Sequence, residues 1–183
     1  VHQWSLGAGG TSGDTGYAVA VDGSGGVFAT GYFQGTVSFG GSSLVSVGTL
    51  DIFLVKYNSA GAHQWSQRFG SAGGDQGEAL AVDGLGNVLM TGLFTNTVNF
   101  GGGNLVSAGG NEIFIASYDP SGTHEWSDSF GSTSVDLGHA IAVDGSSSPP
   151  PGSLRKDVLL TGSFEGTVNF GGNNLVSAGA PDI

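Results

Sequence analysis

His2-Gln3-Trp4-Ser5 returns as His63-Gln64-Trp65-Ser66 and again as His124-Glu125-Trp126-Ser127, a constant offset of 61 residues. Asp14, Asp75 and Asp136 keep that offset, and so do Asp22, Asp83 and Asp144. A fixed period of this size restricts the chain to a repeat architecture, in which each unit is one supersecondary element that buries its apolar face only against its neighbours. The units run 2–62, 63–123 and 124–183.

Each unit reads as four strands, here called A to D in chain order. In the second unit, Glu78–Asp83 alternates apolar with small or polar residues, and Asp83-Gly84-Leu85-Gly86-Asn87 is turn chemistry leading to Val88–Phe94. Period-two runs flanked by such residues are a hairpin signal. Glu112–Tyr118 follows as C, then an Asp119-Pro120-Ser121-Gly122 turn, then His124–Phe130 as D. The first unit matches at 17–22, 27–33, 51–57 and 63–69, and the third at 138–144 and 158–164. Helical periodicity is missing throughout. Four antiparallel strands per repeated unit describe the blade of a β-propeller. The expected fold is therefore all-β: a propeller segment of about three blades. The units exceed common blade repeats in length, mostly between B and C. There Thr-Val-(Ser/Asn)-Phe-Gly-Gly at 36–41, 97–102 and 167–172, followed by Leu-Val-Ser, reads as an extra hairpin. The third unit carries nine additional residues on its A–B turn, with Ser/Pro-rich sequence at 146–156. That insertion reads as a bulge in the turn, or as an extended docking segment.

The run Ala-(Leu/Ile)-Ala-Val-Asp-Gly with its following Thr-Gly, and then (Asp/Glu)-Ile-Phe-(Ile/Leu) up to His-x-Trp-Ser, resembles the bacterial β-propeller repeat called SBBP. The likeness covers nearly the whole chain apart from 146–156. It implies an extracellular or cell-surface bacterial propeller, with a ring of about seven blades. It implies no catalytic residues. Three blades do not close a ring, so the repeat predicts a longer parent chain whose next residues continue strand C, or closure by association of copies.

Charge narrows the partners. Fifteen Asp and Glu against four Lys and Arg give a net charge of −11. Such a surface repels phosphate backbones and anionic lipid, so neither nucleic acid nor a membrane is an expected partner. Without cysteine, disulfides and thiolate metal sites are excluded. No stretch approaches the ~20 apolar residues of a membrane helix.

With A innermost and D outermost, the D–A and B–C connections open on one face, and the A–B and C–D turns on the other. Asp14, Asp75 and Asp136 lie before strand A, in the frame Gly-x-x-x-x-Asp-x-Gly that runs from Gly9 to Gly16 and again from Gly70 to Gly77. Asp51, Glu112 and Asp182 begin strand C. The face that gathers them is the expected binding face, for protein or glycan, since loops on a rigid scaffold carry function. Asp14, Asp75 and Asp136 are calcium candidates, because hard cations take carboxylate and carbonyl oxygens. The competing role is capping of loop N–H groups. Asp22, Asp83 and Asp144 read as turn formers. One His per blade, on the outermost strand, makes a poor metal site. Trp4, Trp65 and Trp126 are expected in the wedge between blades, with sugar stacking as the alternative. Phe33, Phe94, Phe164, Phe53 and Phe114 read as core.

No catalytic constellation is readable, and no cofactor is expected, calcium aside. The expected function is a non-enzymatic extracellular interaction module. Its rivals are a propeller lectin, or part of a propeller enzyme whose site would need a non-repeated group of acids or His near the central channel.

Overall fold

A computed structural model describes residues 1–143 and 157–183. Asp144 and the 146–156 insertion lie outside the described residues. The first blade comprises β1 (Thr15–Val21), β2 (Val27–Phe33), a small hairpin of β3 (Thr36–Val37) and β4 (Leu44–Val45), then β5 (Asp51–Tyr57) and β6 (His63–Phe69). The second repeats it with β7 (Gln76–Val82), β8 (Val88–Phe94), β9 (Thr97–Asn99), β10 (Asn104–Val106), β11 (Glu112–Tyr118) and β12 (His124–Phe130). The third holds β13 (Leu137–Val143), β14 (Val158–Ser163), β15 (Thr167–Val168) and β16 (Leu175–Val176). The described residues are all-β, and the two complete sheets are antiparallel in the order A-B-C-D.

Strands B, C and D lie where the sequence places them, except that β14 stops at Ser163 and Phe164 pairs as a single bridge with Asp182. That bridge is reciprocal, Phe164 N–H to Asp182 O at 2.8 Å and Asp182 N–H to Phe164 O at 2.9 Å. It copies the Phe33–Asp51 and Phe94–Glu112 pairings of the full blades. Strand A differs from its expected bounds. It starts one or two residues earlier and ends before the turn aspartate. The added residues include Gly16 and Gly77, which, like Gly138 of the third blade, pair with a glycine of strand B: Gly31, Gly92 and Gly162. Glycine reads as a turn in sequence, but here two glycines face each other where the inner strands crowd. Residues 2–5, which the 61-residue period aligns with the start of strand D, form no strand. In the two full blades D pairs with the C strand of its own sheet.

The inner strands pack side by side, β1 against β7 and β7 against β13, which sets A at the inner edge of each blade. The main core lies between the first two blades. Phe28, Ile52, Leu54 and Phe69 of the first interlock with Met90, Phe94, Phe114 and Tyr118 of the second. Phe33 and Phe53 pack with Phe39 and Trp4 inside the first blade. All five core phenylalanines expected from sequence are buried.

The B–C hairpin does not stand out from the face on which the B–C connections open. It folds back over its own sheet. Phe39 packs on Phe53 at 4.6 Å and Phe100 stacks on Phe114 at 4.5 Å between ring centroids. Tyr57 and Tyr118, at the far ends of their C strands, donate hydroxyl hydrogen bonds to the Phe39 and Phe100 carbonyls at 3.0 and 2.9 Å. The glycine tip at Gly41 or Gly102 rests on the His63 or His124 ring. Burial of Phe39 and Phe100 drives this folding-back in the two full blades and is worth about 1.5–3 kcal/mol each.

Candidate functional site

The two rows of carboxylates meet at the D–A and B–C connections, and hydrogen bonds define their work. Asp75 accepts from Ser71 N–H at 2.6 Å with one oxygen and from Thr95 N–H at 2.8 Å with the other. Asp136 does the same with Ser132 N–H at 2.6 Å and Glu165 N–H at 3.0 Å. Asp14 follows with Gly10 and Gln34 N–H groups. Each carboxylate thus ties the loop entering a blade to the end of that blade's B strand. Asp75 and Asp136 are fully buried in doing so. The second row closes the return of the hairpin: Asp51 takes the N–H groups of Val47 and Gly48, Glu112 that of Ala108, and Asp182 that of Ala178. Caps of this kind supply partners to donors that lie outside any ladder.

The rows come close together. Gly131 sits against both Asp136 and Glu112, and Gly70 sits against Asp51. Burial pushes the Asp75 carboxyl up, against the pull of its N–H donors, and the Asp51 charge adds to the rise. Burial likewise raises Glu112, with Asp136 adding to it. The blades differ here. Arg68 pairs with the buried Asp51, whereas Ser129 stands at the corresponding place of the second blade. Among the described residues no group of three or more His, Asp or Glu side chains is arranged to hold a metal ion. The oxygens of the calcium candidates Asp14, Asp75 and Asp136 face backbone N–H groups.

The turn aspartates act as read. Asp22 accepts from Ser24 and Gly26 N–H groups, and Asp83 from those of Leu85 and Asn87. Lys56 Nζ reaches Asp22 at 3.1 Å and the Pro120 carbonyl of the next blade at 3.1 Å. Burial alone would raise Asp22, but Ser24, Gly26 and Lys56 outweigh it and hold the carboxyl at about 2.

The indoles fill the wedge between blades. Trp65 Nε1 donates to the Pro120 carbonyl and Trp4 Nε1 to the Ser59 carbonyl, each at 3.2 Å. Gly61 and Gly122, at φ of 80° and 88°, lie over the two rings. His63 and His124 bond Ser66 and Ser127 at 3.2 and 3.1 Å and sit edge-on to Tyr57 and Tyr118. Burial lowers His124. These are packing roles.

One row escaped the sequence reading. Strand A is bulged between Gly16 and Ala18, Gly77 and Ala79, and Gly138 and Ala140. The extra residues are Tyr17, Glu78 and His139. They occupy one repeat position but differ in chemistry, and a reading built on what recurs passed over them. The signal was available: an unlike polar residue between a recurring Gly and a recurring Ala.

Comparison with known proteins agrees with this geometry. Residues 64–93, which run from β6 through β8, match the SBBP beta-propeller repeat family. The chain is also 29% identical over 161 residues to an uncharacterized WD repeat-containing protein of Acanthamoeba polyphaga mimivirus. That match takes in 79% of this chain and 11% of the viral protein, so the chain spans about a tenth of its relative's length. With four-stranded antiparallel sheets as its units and this match at its centre, the chain carries β-propeller repeats of the SBBP type.

Proposed function

We propose that this chain is a non-enzymatic interaction module of a bacterial extracellular or cell-surface protein. The observation that supports it best is how the recurring polar residues are spent. The carboxylates of the D–A and C positions cap loop backbone, the turn aspartates hold turns, and the histidines and indoles pack. The repeated chemistry serves a rigid frame, which leaves contact with a partner to positions that vary and to what each blade exposes. Each hairpin exposes one valine, Val45, Val106 or Val176, paired across the ladder with Thr36, Thr97 or Thr167. Recurring exposed apolar groups on a fixed scaffold suit protein contact. Sugar stacking on the indoles has less support, since Gly61 and Gly122 cover Trp4 and Trp65.

The test is surface labelling. An antibody raised against the folded chain should stain intact cells of the bacterium that carries the natural gene. Staining only after permeabilisation would remove the extracellular reading. Turnover of glycoside, ester or peptide substrates by the purified chain, lost on a single substitution, would remove the non-enzymatic one.

A further inference from the structure

The bulge row of strand A differs from every other recurring position. Gly16, Gly77 and Gly138 precede it, and Ala18, Ala79 and Ala140 follow it, while the residue between is Tyr17, Glu78 or His139. In a bulge two residues face one on the partner strand, so the extra side chain is released from the ladder and re-aimed. β1, β7 and β13 lie at the inner edges of their blades and pack side by side, so the three residues stand in a row there. They sense one another. Glu78 adds to the rise that burial causes in the Tyr17 hydroxyl, and His139 acts to lower Glu78, whose carboxyl burial nevertheless holds up. Tyr17 meets Tyr32 of β2 edge-on at 5.6 Å, where the other blades carry Leu93 and Ser163. Unlike Asp75 and Asp136, Glu78 has no hydrogen-bond donor among the described residues.

We propose that this row binds a basic side chain of a protein partner, an arginine guanidinium or lysine ammonium, with Glu78 as the anion and Tyr17 and Tyr32 as the aromatic wall. The idea rests on the interaction-module reading and names the chemistry of the partner. Charge favours a cation. The chain has fifteen acids and four bases, and Lys56 and Arg68 are already paired with Asp22 and Asp51. A half-buried carboxylate beside aromatic rings attracts a cation more strongly than an exposed one does, because screening is weaker and the rings add cation–π attraction. The row also sets a pH dependence. The groups that face the cation are Tyr17 and Tyr32 from the first blade, Glu78 from the second and His139 from the third. Acidification neutralises Glu78, whose carboxyl burial already holds up, and this weakens the hold on a cation.

The measurement is an NMR titration of the 183-residue chain, following the ring signals of His139 and Tyr17. The ligand is a blocked Gly-Arg-Gly tripeptide, compared with the same peptide carrying neutral citrulline. The arginine peptide should give saturable shifts near neutral pH that fade on acidification, and citrulline should give none. Glu78→Gln and Tyr17→Leu should each weaken binding about tenfold, while Tyr17→Phe keeps it. Asp157→Asn, with the same change of charge at an exposed site, should leave it unaltered. Equal binding by Glu78→Gln, or an equal loss in Asp157→Asn, would overturn the proposal. Failure to bind arginine would end this inference and leave the surface-labelling test of the module untouched.

Discussion

Asp75 shows what one recurring residue contributes. Its two oxygens join Ser71 and Thr95, which lie on opposite sides of strand A in sequence, and both joints are lost in Asp75→Ala. A buried N–H left without a partner costs about 1–3 kcal/mol, so this variant should lose at least that much in urea unfolding. Since those oxygens already hold N–H donors, millimolar calcium at fixed ionic strength should leave the thermal midpoint where chelator leaves it. A calcium-dependent rise that vanishes in Asp75→Ala would show that an ion takes these oxygens instead. Gly122 makes a second case. It sits at φ 88°, and an added Cβ would come within 3.0 Å of the Trp65 ring. Gly122→Ala should therefore cost about 1 kcal/mol or more, read from the same unfolding curves. The carboxylates were legible as candidates because they recur. Tyr17, Glu78 and His139 were not, because the released position of a bulge has no period of its own.

At the level of the element, strands B, C and D were readable from alternation and from their bounding Asp-Gly and Asn-Ser turns. The early start of strand A was not, because its first pairs are glycine against glycine and the approach of a neighbouring sheet decides them. The hairpin was also visible as a hairpin, but its direction depends on a phenylalanine finding the C strand of its own blade, a tertiary choice. The loop ends carry the chain's response to pH. Asp75, Glu78 and Glu112 have folded-state values raised above their unfolded ones, chiefly by burial. Their contribution to stability is full below the unfolded values and is lost as pH rises through the raised ones. Asp22 has the opposite sign. It is held at about 2 against an ordinary 3.8, so its contribution is lost as pH falls through that interval. Thermal midpoints at constant ionic strength should therefore peak on the acid side of neutrality and drop below about pH 4. Glu112→Gln should move that peak toward neutral pH. A midpoint that falls steadily from neutrality downward would contradict the assignment. Ser129→Arg, which copies Arg68 into the second blade beside Glu112, should raise the midpoint at neutral pH.

Across the whole molecule, the three-blade arrangement followed from the period alone, because a unit that buries its apolar face only against a neighbour has to be stacked. Stability in such a stack is a sum over units and contacts between adjacent units. The contact between the first two blades is the largest described, with Phe28, Phe69 and Trp65 on one side and Phe94, Phe100 and Tyr118 on the other. Trp65→Ala removes a partly buried ring and its bond to Pro120. It should lower stability by about 3 kcal/mol and split one unfolding transition into two, seen by calorimetry.

The indole clasp also has a direction. Trp65, on the last strand of the first blade, reaches forward to Pro120 in the C–D turn of the second, and Trp4 reaches Ser59 in the C–D turn of the first in the same way. The first blade therefore has a receiving end at Ser59 and a giving end at Trp65, and blades joined in this way fit in a single order. A gene encoding this unit lengthens by duplication without inventing a new joint, because the duplicate arrives with its socket and its plug already matched.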